Sequence, residues 1–496
     1  MPEAPVAAAP PATVARTPIL VACLIATFMP AVESTIVATA MPTIVADLGG
    51  FGLFSWVFTI YLLTQAVSIP LYGRLADVHG RKGVFFWGAG LFLVGSIASG
   101  LAWGMVPLIA FRAIQGLGAG GVQPVAATIL GDIYTPAERA RVQGMVSSVF
   151  GVSAVIGPSL GAFLLTHLSW PVVFWVNVPI GLLAMAMIGL YLHERVQPRT
   201  HRLDVAGSLL LLLGAGAVLL ALVQGRSIAP AIWWALLGGG LLALIALLLH
   251  ERSIAEPILP LELWRHRVIA SGSLGGGAAG AVMMGVAAFL PAYVQGAMGR
   301  SPGAGGLVLG AMSVSWALAS IVSGRVMLRS SYRATATIGG IALLAGCVML
   351  LLLTPARGPL FAAAGSFVIG VGMGFCNTTF IVSIQAAVPW RQRGAATSST
   401  MFMRFIGQAL GAAGCGAVLN ATIRATDPAA ARIADRILDP AQRGGIARAE
   451  VIEVVDLLAR GLHNAYLLAT GFAVLALLMS MAIPRRLSPR PASSGG

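Results

Sequence analysis

The chain has 496 residues, of which 57% are hydrophobic and only 10% charged, and its mean hydropathy is +0.88. A soluble protein of this length needs far more charge to cover its surface, so the composition excludes one and indicates a polytopic membrane protein. The net charge of +14 does not argue for nucleic acid, because the Arg residues sit in short loops between apolar stretches, as topology determinants do.

Lipid admits helices or closed barrels as spanning structures. The apolar stretches run about 20 residues, which is helix length, so the predicted class is an all-α polytopic membrane protein. Residues 1–17 are Pro/Ala-rich and are expected to be a disordered cytoplasmic N-terminus. A signal peptide is disfavoured, because Pro30 and Glu33 interrupt the first apolar run and many more follow. Fourteen spans are predicted, at about 18–41, 53–72, 83–102, 106–130, 143–165, 172–192, 204–223, 231–249, 269–291, 303–324, 335–353, 359–384, 395–419 and 463–483. An even number places both termini on one side. On that side the segments hold 20 Arg and Lys, from Arg16 through Arg81 and Lys82 to Arg490. The short loops opposite hold only Arg226, Arg300 and Arg357. The positive-inside rule therefore makes both termini cytoplasmic. The 420–462 segment becomes a long outer loop, expected to hold short helices such as 447–458.

Glu33 lies in the first span and is the one acid that the pattern puts inside the membrane. A charge there costs about 2.5–3.5 kcal/mol on insertion scales, so such an acid is neutral, paired or functional. Desolvation favours its neutral form and a neighbouring cation favours its charged form. An environment that alternates between two faces could then load and unload a proton. The other reading is an acid hydrogen-bonded for packing. Arg112 is the obvious partner. It heads a stripe of Arg112, Gln115, Ala119 and Gln123 on one face of the fourth span, which must look at protein or water. Tyr61, Thr64, Gln65 and Ser68 form a similar stripe on the second span. Met283, Met284, Met312, Trp316, Phe375 and Phe380 could supply a soft apolar wall for a substrate, although such residues in membrane helices more often face lipid or core. Asn377 and the in-span Arg404 complete the expected substrate cavity.

The chain repeats itself at an offset of about 250 residues. Gly73 and Arg74 are echoed by Gly324 and Arg325; Gly116, Gly118, Gly120 and Gln123 by Gly370, Gly372, Gly374 and Asn377; and Gly157, Leu160, Gly161 and Ala162 by Gly407, Leu410, Gly411 and Ala412. The matched spans run in the same direction. Two parallel six-helix halves about an axis along the membrane normal form a transporter architecture. The expected divisions are 18–200 and 266–484 as six-helix bundles, 201–265 as two inserted helices with linkers, and 485–496 as a cytoplasmic tail. Glu33 has only Met283 and Met284 opposite it in the second half, so proton handling is expected in the first half alone.

Other chemistries find no support. Gly116, Gly118 and Gly121 fit a dinucleotide fingerprint, but no strand precedes them. Gly157, Ser159 and Gly161 fit a nucleophile elbow, but the Ser has no evident His partner. Cys23, Cys347, Cys376 and Cys415 are dispersed, and the His residues lack metal spacing. No P-loop occurs, so an ion gradient is the expected driving force. An enzyme, a cofactor and a metal are not expected.

These residues resemble the major facilitator superfamily, and within it the fourteen-span drug:proton antiporters. The resemblance covers nearly the whole chain. Gly73 to Lys82, with Asp77, Gly80 and Arg81, resembles the signature loop between the second and third helices. Leu108, Arg112, Gln115, Gly116 and Gly118 resemble the helix 4 motif, and Gly151 to Gly161, with Gly157-Pro158, the antiporter motif of helix 5. Glu33, Thr35, Val37, Ala40 and Pro42 resemble the helix 1 motif; Trp170 to Gly181, with Asn177 and Pro179, is also similar to that family. Val78 departs from the usual basic residue, Ala162 from the last Gly of the antiporter motif, and Leu328 from the second-half Asp.

The resemblance implies a major facilitator fold of fourteen helices. It implies a proton-coupled antiporter of the bacterial cytoplasmic membrane that exports amphiphilic or cationic drugs. Glu33 and Arg112 would handle the proton, Gly73, Asp77, Gly80 and Arg81 would latch the cytoplasmic gate, and Gly157, Pro158 and Gly161 would favour antiport. Lipid, siderophore or metabolite export is the alternative on the same fold. The expected partners are a hydrophobic small molecule and the bilayer, with the chain monomeric. A periplasmic adaptor is left open.

Overall fold

A computed structural model describes residues 16–134, 136–194, 204–224, 228–254, 261–388, 393–426 and 448–484. No strand occurs among them. Each apolar stretch satisfies its own backbone by winding into a helix, as lipid requires.

In chain order the helices are α1 (Arg16–Leu48), α2 (Phe54–His79), α3 (Arg81–Gly100), α4 (Met105–Ile133), α5 (Pro136–His167), α6 (Val172–Trp175), α7 (Asn177–Tyr191), α8 (Val205–Gln224) and α9 (Pro230–Ser253). They continue with α10 (Leu261–Trp264), α11 (Arg267–Ala292), α12 (Pro302–Arg329), α13 (Tyr332–Leu351), α14 (Gly358–Ala387), α15 (Arg393–Thr426) and α16 (Arg448–Ala482). A π-turn, Tyr293–Ala297, extends α11 beyond Pro291. By length and composition twelve spans are identified, with α6 and α7 joined as one, rather than the fourteen expected. Beyond them lie α5, with 32 residues, and α8, whose apolar core of 17 residues (Ala206–Leu222) sits at the lower limit of span length. The separate short helix expected near 447–458 is instead the start of the 35-residue α16.

The end of the bundle carrying Arg16 and Ala482 is called proximal and the opposite end distal. At the proximal end Arg16 Nη1 lies 3.3 Å from Glu138 Oε1, and Tyr134 donates to the Arg16 carbonyl at 3.2 Å. Glu194, just after α7, accepts the backbone N–H groups of Arg81 and Lys82 at 2.9 and 3.0 Å. It therefore supplies the unsatisfied first turn of α3 with a carboxylate, where the helix dipole favours negative charge.

The repeat read in the sequence is a repeat of packing. A Cβ on Gly118 of α4 would stand 2.7 Å from the Gly88 carbonyl oxygen of α3, and one on Gly372 of α14 would stand 2.8 Å from that of Gly339 on α13. A Cβ on Gly120 would meet the Gln65 carbonyl of α2 at 2.6 Å, and one on Gly374 the Trp316 carbonyl of α12 at 2.7 Å. In the same way Gly157 and Gly161 of α5 press on α1, and Gly407 and Gly411 of α15 press on α11. Small residues let the backbones approach this closely, which is how helices associate without a hydrophobic driving force.

The halves α1–α7 and α11–α16 meet towards the distal end. Phe54 of α2 stacks on Phe289 of α11 with ring centroids 5.2 Å apart. Asn420 of α15 donates to the Gly52 carbonyl at 2.8 Å, and Gln295 of the π-turn donates to the Thr39 carbonyl of α1 at 3.4 Å. A Cβ on Gly306 of α12 would lie 2.8 Å from the Pro158 carbonyl oxygen of α5. The inserted α8 packs against both α2 and α15, with α9 outside it. Asp204 Oδ1 and His250 Nε2, 2.8 Å apart, tie that pair together.

Candidate functional site

The centre of the first half holds an ion pair sealed from solvent. Glu33 of α1 is 0% exposed and Arg112 of α4 is 1% exposed, with Arg112 Nη1 2.6 Å from Glu33 Oε1. Two charges this deep are tolerable only when paired and further hydrogen-bonded, and the surroundings supply those bonds. Arg112 Nη1 also donates to Gln115 Oε1 at 2.6 Å, and Arg112 Nε to the Val57 carbonyl at 3.3 Å. The guanidinium lies 4.1 Å from the centroid of the Tyr61 ring, a cation–π distance. Gln115 Nε2 in turn donates to Ser96 Oγ of α3 at 2.7 Å. The second carboxylate oxygen, Oε2, accepts from Asn177 Nδ2 at the start of α7. Four helices thus converge on one carboxylate–guanidinium pair, and α2 contributes a ring and a carbonyl.

Asn177 belongs to the Trp170–Gly181 segment that carries part of the family resemblance. Its distance from Glu33 in the chain, 144 residues, hid the contact. Replacing Asn177 with Ala leaves one oxygen of a buried carboxylate unpaired. The expected loss is about 1–3 kcal/mol of stability, measured as a lowered unfolding midpoint in detergent; an unchanged midpoint would show that the bond does not form.

Several expected cavity residues are redistributed. Tyr61 and Gln115, expected to line a substrate cavity, are 2% and 0% exposed and serve as a sleeve around Arg112. Gln65 is also buried, beneath Gly120 of α4. The apolar wall expected from Met283, Met284, Met312, Phe375 and Phe380 is core, each at most 8% exposed. Tyr61, Gln65, Gln115, Met312, Phe375 and Phe380 lie against glycines of neighbouring helices, where the backbones approach closely. Gln123, Trp316, Asn377 and Arg404 remain partly exposed.

Gly157 and Pro158 stand beside the pair. Gly157 abuts Thr35 and the Val32 carbonyl on the turn of α1 that carries Glu33, while the Pro158 carbonyl faces Gly306 of the other half. Gly161 packs on Ile36. In the signature loop Gly80 adopts φ 86°, a left-handed conformation that glycine tolerates, and joins α2 to α3. Arg81 Nε lies 2.9 Å from Asp132 Oδ2 of α4, and its Nη1 lies 3.7 Å from Glu194 Oε1. These contacts stay within the first half. Gly73 and Asp77 lie in the last turns of α2, and their side chains fall outside the described residues.

An all-helical bundle of two parallel repeated halves, carrying a buried ion pair in one of them, defines a membrane transporter. Residues 23–412 match the sequence profile of the Major Facilitator Superfamily, and the chain belongs to that family. It is 34% identical over 409 residues to the Multidrug transporter protein MdtP of Bacillus subtilis (strain 168), a match covering 82% of this chain and 76% of that one. It is also 34% identical over 398 residues to Multidrug resistance protein 3 of the same organism, covering 79% and 77%. Among solved structures it is similar to a bacterial homologue of the human lysosomal transporter Spinster, in an inward-facing and unoccupied conformation. That likeness has a TM-score of 0.67 and 17% identity, over 95% of this chain and 98% of the other.

Proposed function

We propose that this chain is a proton-coupled antiporter that exports amphiphilic compounds across a bacterial cytoplasmic membrane by alternating access. The carrying observation is the Glu33–Arg112 pair, closed off from solvent within the first half. In this reading the chain has fourteen spans, with α5 and α8 added to the twelve. Both termini are cytoplasmic, and the contacts of Phe54, Phe289 and Asn420 close the outer side. The chain then stands inward-facing. Its two Bacillus relatives, named for multidrug transport and resistance, support drug-like cargo.

The site's chemistry suits a proton carrier. Ionised Glu33 accepts from Arg112 and Asn177. When Glu33 takes a proton, Arg112 keeps Gln115 Oε1, the Val57 carbonyl and the Tyr61 ring, so its charge is not stranded. Asn177 can serve both states: its amide N–H donates to the carboxylate, and after a flip Oδ1 accepts from the acid O–H. Oδ1 is buried without a hydrogen-bond partner in this arrangement, which leaves it available as that acceptor. Neutralising Glu33 loosens the pair between α1 and α4 and changes what α5 packs on through Thr35. Because Pro158 of α5 also touches α12, that change reaches the seam between the halves.

The test is reconstitution in liposomes with an imposed pH gradient. Replacing Glu33 with Gln mimics the protonated acid and is expected to cut proton-driven export at least 100-fold while leaving substrate binding within about threefold. Undiminished proton-driven export by the variant would refute the carrier assignment.

A further inference from the structure

The second half contains a cation that its own surroundings do not balance. From Leu263 to Thr426 the chain has no Asp or Glu at all. Arg404 nevertheless sits inside α15, eleven residues from its start at Arg393, or about 16 Å into the bundle at the helical rise. A charge inside a membrane helix is costly and is normally paired or faces a water-filled cavity. Among the described residues Arg404 makes no ion pair. Its Nη1 reaches Asn377 Oδ1 of α14 at 3.4 Å, its guanidinium lies 5.1 Å from the Phe405 ring centroid, and its buried Nε has no hydrogen-bond partner. In the first half, by contrast, Glu33 neutralises Arg112.

The side chains of Arg404 and Asn377 also have a direction. They reach towards each other from α15 and α14, both of which pack on α11, and Arg404 Cγ would lie 3.3 Å from a Cβ on Gly280 of α11. On another face of α11, Gly275 lies against Phe380 of α14 and Met479 of α16. Arg404 and Asn377 stand where α15 and α14 meet α11, α15 also borders α2 of the first half, and both residues are partly exposed.

We infer that Arg404, positioned by Asn377, is the recognition site for an acidic group on the transported compound, so that the cargo is an amphiphilic acid rather than a cation. A guanidinium takes a carboxylate through two parallel N–H donors, and Arg404 has donors to spare. The terminal Nη groups, one of them held only by a long bond to Asn377, supply the fork. The occupant balances a charge that the second half leaves unbalanced. This inference rests on the export reading for the movement of the cargo, but not for its binding.

The experiment uses one fluorescent amphiphile in two forms, the carboxylate and its neutral methyl ester, with the purified full chain in detergent and in proteoliposomes. Wild type is expected to bind the acid at least tenfold more tightly than the ester. Replacing Arg404 with Gln is expected to erase that preference while leaving ester affinity within about threefold. An R404K variant keeps part of the preference, because the charge remains and the fork is lost. Equal affinity of wild type for acid and ester overturns the inference, as does an undiminished preference in R404Q. Displacement of the acid by phosphatidylglycerol but not by excess non-fluorescent amphiphilic acid assigns the site to a lipid and also overturns it. Arg404-dependent binding without proton-driven flux of either form keeps this site and removes the export reading instead.

Discussion

Replacing Arg112 with Ala is expected to cost about 3–5 kcal/mol of stability, the range for breaking a buried ion pair by removing one partner. The loss exceeds that of an ordinary truncation, because Glu33 at 0% exposure keeps its charge cost while its main partner is gone. The Tyr61 ring, 4.1 Å from the guanidinium carbon, also loses the cation it packs against. A double variant, Glu33→Gln with Arg112→Gln, is expected to recover most of the stability, since both charges leave together. The measurement is the unfolding midpoint of the detergent-purified protein for the two single variants and the double. If Arg112→Ala unfolds with wild type, the pair is not formed in the protein. If the double variant is as unstable as Arg112→Ala, packing of the long side chain outweighs charge.

A second large effect is expected at Gly306. Its α carbon faces the other half so closely that a Cβ would lie 2.8 Å from the Pro158 carbonyl oxygen and 3.5 Å from Thr39 Cγ2. Valine at that position must push α12 away from α5 and α1. Overpacking of this kind costs about 1–3 kcal/mol, and here the cost falls on the distal-closed arrangement alone. At about 1.4 kcal/mol per tenfold, the population with a parted distal seam rises roughly five- to 150-fold. A Cys placed at Thr39, buried beneath that seam, reports the change through its labelling rate with a membrane-impermeant maleimide. Labelling is expected to rise at least fivefold in Gly306→Val over the Thr39→Cys background. An unchanged rate would mean that the Gly306–Pro158 contact does not hold the distal side shut.

The two variants test different links of one chain of contacts. Glu33 and Arg112 tie α1 to α4, Gly157 seats α5 on the turn of α1 beside Glu33, and the Pro158 carbonyl meets α12. A change of charge at Glu33 has a short route to the seam, about one turn of α1 and one residue of α5. The matching positions of the second half carry Met283 and Met284 and no acid. There the glycines Gly407 and Gly411 pack on Gly277 and Ala281 of α11, and the charged neighbour is a cation, Arg404, rather than an acid.

Hydropathy, the 250-residue repeat and the lone acid were all legible without coordinates. Spans of about 20 apolar residues can only be helices in lipid, and a repeat of glycine spacing records where backbones must touch. The helix ends were less legible. The 420–462 segment read as one loop because its charge masks a helix, and α16 continues apolar periodicity from Arg448 into the last span. The cavity was the least legible part. Tyr61 and Gln115 occupy polar stripes at helical spacing, which predicts a face but not what that face meets.

What the sequence by itself determined is the all-helical membrane class, the family, the parallel repeat and the identity of Glu33 as the exceptional acid. The family rests on the resemblance of its motifs, and the others are properties of composition or spacing along one chain. Only the tertiary structure decided that Arg112 meets Glu33, that Asn177 completes the pair from 144 residues away, and that Arg404 makes no ion pair among the described residues. Pairing and its absence are questions of distance in three dimensions, and inside a membrane they set the energy of every charge.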